Sequence, residues 1–90
     1  LMKERYYQTK EAEIWLENGV IHTVHAPSVI VTLESAKRLV YERLKVSNGQ
    51  THPMLIDARK AKSMTKEARE YLASSEAIKG ISAGAFVVNN

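Results

Sequence analysis

Ninety residues bound the chain to one domain with a thin stability margin, because a chain of this size buries only about two-thirds of its unfolded surface. Hydrophobic residues at 44 % and charged residues at 26 % exclude a disordered body, and the lack of cysteine excludes a disulfide scaffold or thiolate metal centre and fits a reducing cytoplasm. A net charge of +3 does not by itself mark a nucleic-acid binder, no apolar run approaches the roughly 20 residues of a membrane span, and the first eight residues are too polar for a signal peptide.

Residues 1–10 are polar and aperiodic and read as a loose lead-in, with Tyr6 and Tyr7 available to pack back on the body. Residues 11–90 read as a single domain. It starts with two apolar runs flanking Asn18-Gly19, the strongest short hairpin signal, since both turn residues tolerate positive φ. A two-residue loop pairs Glu17 with Val20, Leu16 with Ile21, Trp15 with His22, Ile14 with Thr23 and Glu13 with Val24. Ala12, Ile14, Leu16, Ile21 and Thr23 then share the core face. The opposite face, with Glu13, Trp15, Glu17, Val20, His22 and Val24, is mixed. A slip of one residue would exchange the two faces.

Pro27 breaks the strand, and Val29-Ile30-Val31 is a short apolar link. Thr32 is an N-cap for a helix from about Leu33 to Val46, with Glu34 in its first turn. The apolar stripe is Leu33, Ala36, Leu39, Val40 and Leu44, with Glu34 and Arg38 forming a supporting pair four residues apart. Gly49 suits the left-handed position that ends it. Pro53 belongs at a strand start, and Met54 to Ala58 follow without alternation, as in a strand covered on both faces. Arg59 to Lys62 form a loop. Thr65 caps a second helix with the stripe Ala68, Tyr71, Leu72, Ser75 and Ile78, stopped by Gly80. Ser82 to Val88 read as a last buried strand. The order hairpin, helix, strand, helix, strand implies an α/β fold with a mixed sheet: an N-terminal antiparallel hairpin and two helices in right-handed βαβ-type crossovers.

This order resembles the STAS superfamily, the SpoIIAA-like domains of anti-anti-sigma factors and sulphate-transporter tails, and small bacterial STAS-like proteins most of all. The resemblance covers roughly residues 11–88. It is carried by the hairpin Ile14–Ile21, the helix start Thr32–Ala36, and the strand Leu55–Ala58 with its following loop and helix. It implies an interaction or regulatory role. In the anti-anti-sigma branch the second helix opens with an Asp-Ser-Ser/Thr-Gly run that a partner kinase phosphorylates. Here Thr65, Lys66, Glu67 and Ala68 stand there, so the switch does not carry over. STAS domains also continue with a further helix after the last strand read here. The chain therefore reads as truncated at its C-terminus, or as taking its cover from a second chain.

The strand-loop-helix stretch Pro53–Leu72 lies where sites form in open α/β sheets. Arg59, Lys60 and Lys62, with Ser63, Thr65, Lys66 and Glu67 at the helix start, are the candidate contacts for a partner or an anion. The alternative for this cluster is a solvated basic loop, since no glycine-rich cradle accompanies it. Asp57 reads as an acceptor that orders the loop. Trp15, beside His22, is either an exposed hairpin patch for a partner or is covered by Tyr6 or Tyr7. His22 and His25 differ by three, so a strand sends them to opposite faces and they cannot chelate one metal. No serine has a His–Asp companion, and no cofactor is implied.

These readings point to a non-enzymatic regulatory or protein-interaction module, with a protein partner and self-association in view. One alternative is a domain holding an anion or a lipid-like molecule in an apolar pocket. Another is a weak nucleic-acid binder, against which the mixed charges of Glu34, Arg38 and Glu42 on the first helix count.

Overall fold

The computed structural model describes residues 3–89. At its centre the Asn18-Gly19 turn has both residues at positive φ, 53° and 78°. It joins β2 (Ala12–Glu17) to β3 (Val20–His25) in the register read from the sequence, from Glu17 opposite Val20 to Glu13 opposite Val24. The expected core face is buried throughout: Ala12, Ile14, Leu16, Ile21 and Thr23 are each no more than 9 % exposed.

The protein is α/β, with a mixed five-stranded sheet and two helices. With β1 at Glu4–Gln8, β5 at His52–Asp57 and β7 at Ile81–Val87, the strand order is β1-β2-β3-β5-β7, with β5 parallel to β3 and β7 parallel to β5. A separate parallel pair, β4 (Ile30–Val31) and β6 (Ser63–Met64), links the two crossover segments. Helix α1 (Leu33–Ser47) covers the sheet over a core of Ile14, Leu16, Ile21, Leu39, Val46, Met54 and Ile56. Helix α2 (Lys66–Leu72) forms a second, smaller cluster in which Ala68 meets Val31 and Ala36. Among the described residues neither helix is long and apolar enough to cross a membrane.

The expected loose lead-in is corrected. Its first two residues lie outside the described residues, as does Asn90 of the expected 11–90 domain. Glu4–Gln8, however, is strand β1, antiparallel to β2. It is an edge strand with no buried residue, so it lacks the apolar alternation that marks a strand in sequence. The pairing slips between Glu4 and Tyr7, where Arg5 takes a φ of 51°. Arg5 then donates to the Val46 carbonyl at the end of α1 (3.2 Å).

Helix α1 begins as expected at Thr32, and its cap is reciprocal. The Thr32 hydroxyl accepts from the Ser35 amide (3.2 Å), while the Ser35 hydroxyl accepts from the Thr32 amide (2.8 Å). The buried stripe keeps Ala36, Leu39 and Val40 of the expectation, but Leu33 is half-buried, Leu44 is exposed, and Ser35, Arg43, Val46 and Ser47 are buried. Arg43 is 3 % exposed, whereas Leu44 is 40 % exposed. Arg43 points inward because its Nη2 donates to the carbonyls of Ala77 (2.5 Å) and Lys79 (3.1 Å), satisfying acceptors that an aliphatic side chain could not. Arg38 pairs with Glu11 (2.7 Å) across the β1–β2 turn, and not with Glu34.

Helix α2 ends at Leu72, well short of Gly80. Ser74 stops it, since its hydroxyl donates to the Tyr71 carbonyl and accepts from the Ala77 amide, offering the backbone an alternative to the helix. Burial along β5 alternates, with Met54 and Ile56 inside and Leu55 and Asp57 half-buried on the other face, so helices cover this strand on one side only. Pro53 sits where the β5–β7 register shifts, and its missing N–H falls at that break. The expected burial of the last strand is overturned too. Apart from its two half-buried ends, β7 is exposed, because the shortened α2 packs on α1 and β4 and leaves it uncovered.

Candidate functional site

The uncovered end of β7 and the short α2 leave a cleft between them. Its floor and walls are largely apolar, formed by Val31, Met64, Leu72, Ala73, Phe86 and Val88, and its volume is about 580 Å³. Phe86 and Val88 are 53 % and 57 % exposed, a large fraction for such side chains at the end of a strand. The cleft lies beyond the carboxyl ends of the parallel strands β5 and β7, where open α/β sheets place ligand sites. Arg59, Lys62 and Arg69 stand around it, so an apolar hollow is rimmed by cations.

The loop wall is built from the end of β5. Asp57 accepts from the Arg59 amide (3.1 Å) and from the Arg59 guanidinium (3.0 and 2.7 Å). It therefore orders the loop, as expected. The Arg59 side chain, then its backbone N–H, holds the Asp57 carboxyl down to about 2. Further along, Ser28 donates from its amide to the Lys60 carbonyl and Lys62 from its amide to Val29, each at 2.8 Å. On the helix side Arg69 donates to the Met64 carbonyl (2.9 Å), which fixes its stem along the cleft.

The basic cluster read from the sequence is thus divided. Arg59, Lys62 and Ser63 reach the cleft. Lys60 lines a separate small hollow beside Pro27. Thr65 spends its hydroxyl on the Ala68 amide as the helix cap (3.1 Å). Lys66 lies 3.9 Å from Glu70 along the exposed face of α2, and Glu67 is exposed in its first turn. None of these last three lines the cleft. Arg69, Phe86 and Val88 were not singled out. A helix stripe does not reveal which flank borders an uncovered strand, and an apolar strand that reads as covered makes Phe86 and Val88 read as core.

The hairpin patch is corrected in one half. Trp15 is 8 % exposed, so it is not an open indole. Its ring stacks on His22 (5.1 Å, 5° between planes), as the sequence suggested, and the Tyr6 ring of β1 lies tilted at 6.4 Å. The Lys3 ammonium sits 4.1 Å from the ring centre, and Nε1 donates to Glu17 (2.9 Å). The strand that the sequence hides is what covers the tryptophan.

His22 and His25 occupy opposite faces, His25 in the core and His22 against Trp15. Among the described residues no three His, Asp or Glu side chains converge as a metal site would need.

A family described as "Domain of unknown function (DUF7793)" matches residues 14–90, from within β2 onward. No curated protein and no solved structure matches the chain.

Proposed function

The chain belongs to the DUF7793 family, and from that premise we propose that it is a non-enzymatic, STAS-like interaction module whose docking surface is the cleft between β7 and α2. The occupant is an apolar segment of a partner protein that carries acidic residues. The observation that supports this most is the combination of an apolar floor with a basic rim: Phe86, Val88 and Leu72 offer area, and Arg59, Lys62 and Arg69 offer charge. Apolar contact supplies affinity, while rim charges steer encounter and select the partner's sign. The order of hairpin, helix, strand, helix and strand supports the STAS-like reading. With Lys66 and Glu67 where anti-anti-sigma STAS domains keep their phosphorylated hydroxyl, docking here runs without that switch.

A peptide library panned against the full chain tests this. Selected peptides should combine aromatic or aliphatic anchors with Asp or Glu. They should lose binding to Phe86→Asp and weaken on Lys62→Glu. Lys62 is exposed, so its change should alter stability by no more than about 0.5 kcal/mol; Phe86 is about half covered, so its change should cost roughly 1–2 kcal/mol, and circular dichroism confirms that both variants remain folded. Peptides that bind both variants as tightly as the parent protein would rule the cleft out.

A second reading rests on the cleft's size. About 580 Å³ falls within the range of small-molecule sites. An anionic amphiphile would place its chain on Phe86 and its head at Lys62. Native mass spectrometry of protein purified from its own cells separates the readings, since only this one yields a bound small molecule.

A further inference from the structure

His25 closes β3 on the helix-covered face of the sheet. It is 2 % exposed, and neither ring nitrogen has a hydrogen-bond partner, although both are buried. Buried polar groups almost always have one, so this ring sits in its neutral form at a cost. His25 is set apart by having both nitrogens unpaired: His22 stacks on Trp15, and His52, whose Nε2 is also buried without a partner, has its Nδ1 3.3 Å from the Gly19 carbonyl. A hollow of about 180 Å³ adjoins His25, walled by the β1–β2 turn at Thr9 and Lys10, by Ala26 and Pro27, and by Lys60.

These walls are tied by few bonds. The Ala26 amide donates to the Glu11 carbonyl and the Ser28 amide to Lys60, each at 2.8 Å. Glu11 is also bound by Arg38 of α1 (2.7 Å). The charged groups around the ring are Lys10 and Glu11 of the turn, Glu13 of β2, Asp57 of β5, Lys60 of the loop and, through Glu11, Arg38 of α1. Signs are nearly balanced, and none of the three carboxylates hydrogen-bonds the ring. Asp57, whose charge favours the imidazolium, is already paired with Arg59.

We propose that His25 is an acid-sensitive latch, whose protonation parts the β1–β2 turn from the 26–28 segment so that the charged ring can be solvated through the adjoining hollow. Desolvation, working against the weaker pull of Asp57, holds the ring's pKa below its ordinary 6.5. The sign follows. Above about 6.5 the ring is neutral in folded and unfolded chains alike, and the latch is closed. As pH falls below that value the open and unfolded forms take up the proton first, and the closed form loses ground by up to about tenfold per pH unit. The proposal stands whether or not the cleft holds a partner. If the cleft does, opening reaches its wall, because Lys60 and Lys62 are tied to Ser28 and Val29.

The test is hydrogen exchange on the full chain between pH 7.5 and 5, corrected for the intrinsic pH dependence. Protection of the Ala26 and Ser28 amides should fall several-fold at the acid end, while that of Ile14 and Ile21 holds. In His25→Gln and His25→Phe the acid loss should vanish, and in His22→Gln it should persist. Variants that keep the parent's acid response overturn the proposal. Should neither His25 variant fold, NMR titration of the parent decides. A His25 ring titrating below the ordinary 6.5, with amide changes centred on residues 9–12 and 25–28, supports the latch. Titration at the ordinary value without such changes refutes it.

Discussion

Replacing Trp15 by alanine separates a buried indole from an exposed docking patch by a margin that no assay would miss. A buried tryptophan removes roughly 150–250 Å² from water, which at about 25 cal/mol per Å² gives about 4–6 kcal/mol. The unfolded chain is not fully extended, and correcting for its residual burial brings this to about 3–5 kcal/mol, in line with core Trp→Ala substitutions generally. At 8 % exposure Trp15 commands nearly all of that term, and the His22 stack and Lys3 contact add to it. A 90-residue domain has about 5–13 kcal/mol in total. Trp15→Ala should therefore lower the thermal midpoint by more than about 12 °C. Trp15→Phe keeps a ring against His22 and gives up the bond to Glu17, so it should cost about 1–2 kcal/mol. Urea unfolding followed by circular dichroism measures both. Trp15 is also the chain's single tryptophan, so its fluorescence reports the same burial, and Tyr6→Ala should shift the emission to the red. A loss below about 0.5 kcal/mol for Trp15→Ala, with the emission of a solvated indole in the parent, would refute the covering of Trp15 by β1.

Two further outcomes follow from particular bonds. Thr32→Ala removes one half of the reciprocal cap at the start of α1 and should cost about 1 kcal/mol in urea unfolding, with faster exchange at the Ser35 amide. The Asp57 carboxyl, held at about 2 by Arg59 against an ordinary 3.8, lends stability that is complete above about pH 3.8 and lost as pH falls toward 2. Arg59 is exposed and Asp57 partly so, and solvent screens the pair; Asp57→Asn should therefore flatten that acid limb at low ionic strength and alter less in concentrated salt.

The hairpin was legible to the residue because Asn18-Gly19 sets both the turn and the register, and alternation then selects the face. The start of α1 was equally legible from Thr32. What escaped were features set by distant partners. β1 has no apolar face of its own, and only its pairing with β2 makes it a strand. Arg43 reads as a surface residue until the Ala77 and Lys79 carbonyls give it a reason to turn inward. The length of α2 depended on whether Ser74 continues the helix or bonds back to it, a choice that propensity leaves nearly even. That one turn decides the candidate site, because a longer α2 reads as cover for Phe86 and Val88. The loop wall at Arg59, Lys62 and Ser63 could be read from its place after a central strand. Its opposite wall could not.

In the proposed mode of docking, the cleft between β7 and α2, and not the hairpin face, takes the partner. Chemical-shift mapping of the ¹⁵N-labelled chain with the tightest library-selected peptide tests it most directly. Changes should concentrate at residues 58–64, 69–73 and 86–89 and diminish with Phe86→Asp. Changes centred on Trp15, His22 and the 17–20 turn, unaffected by that substitution, would contradict it.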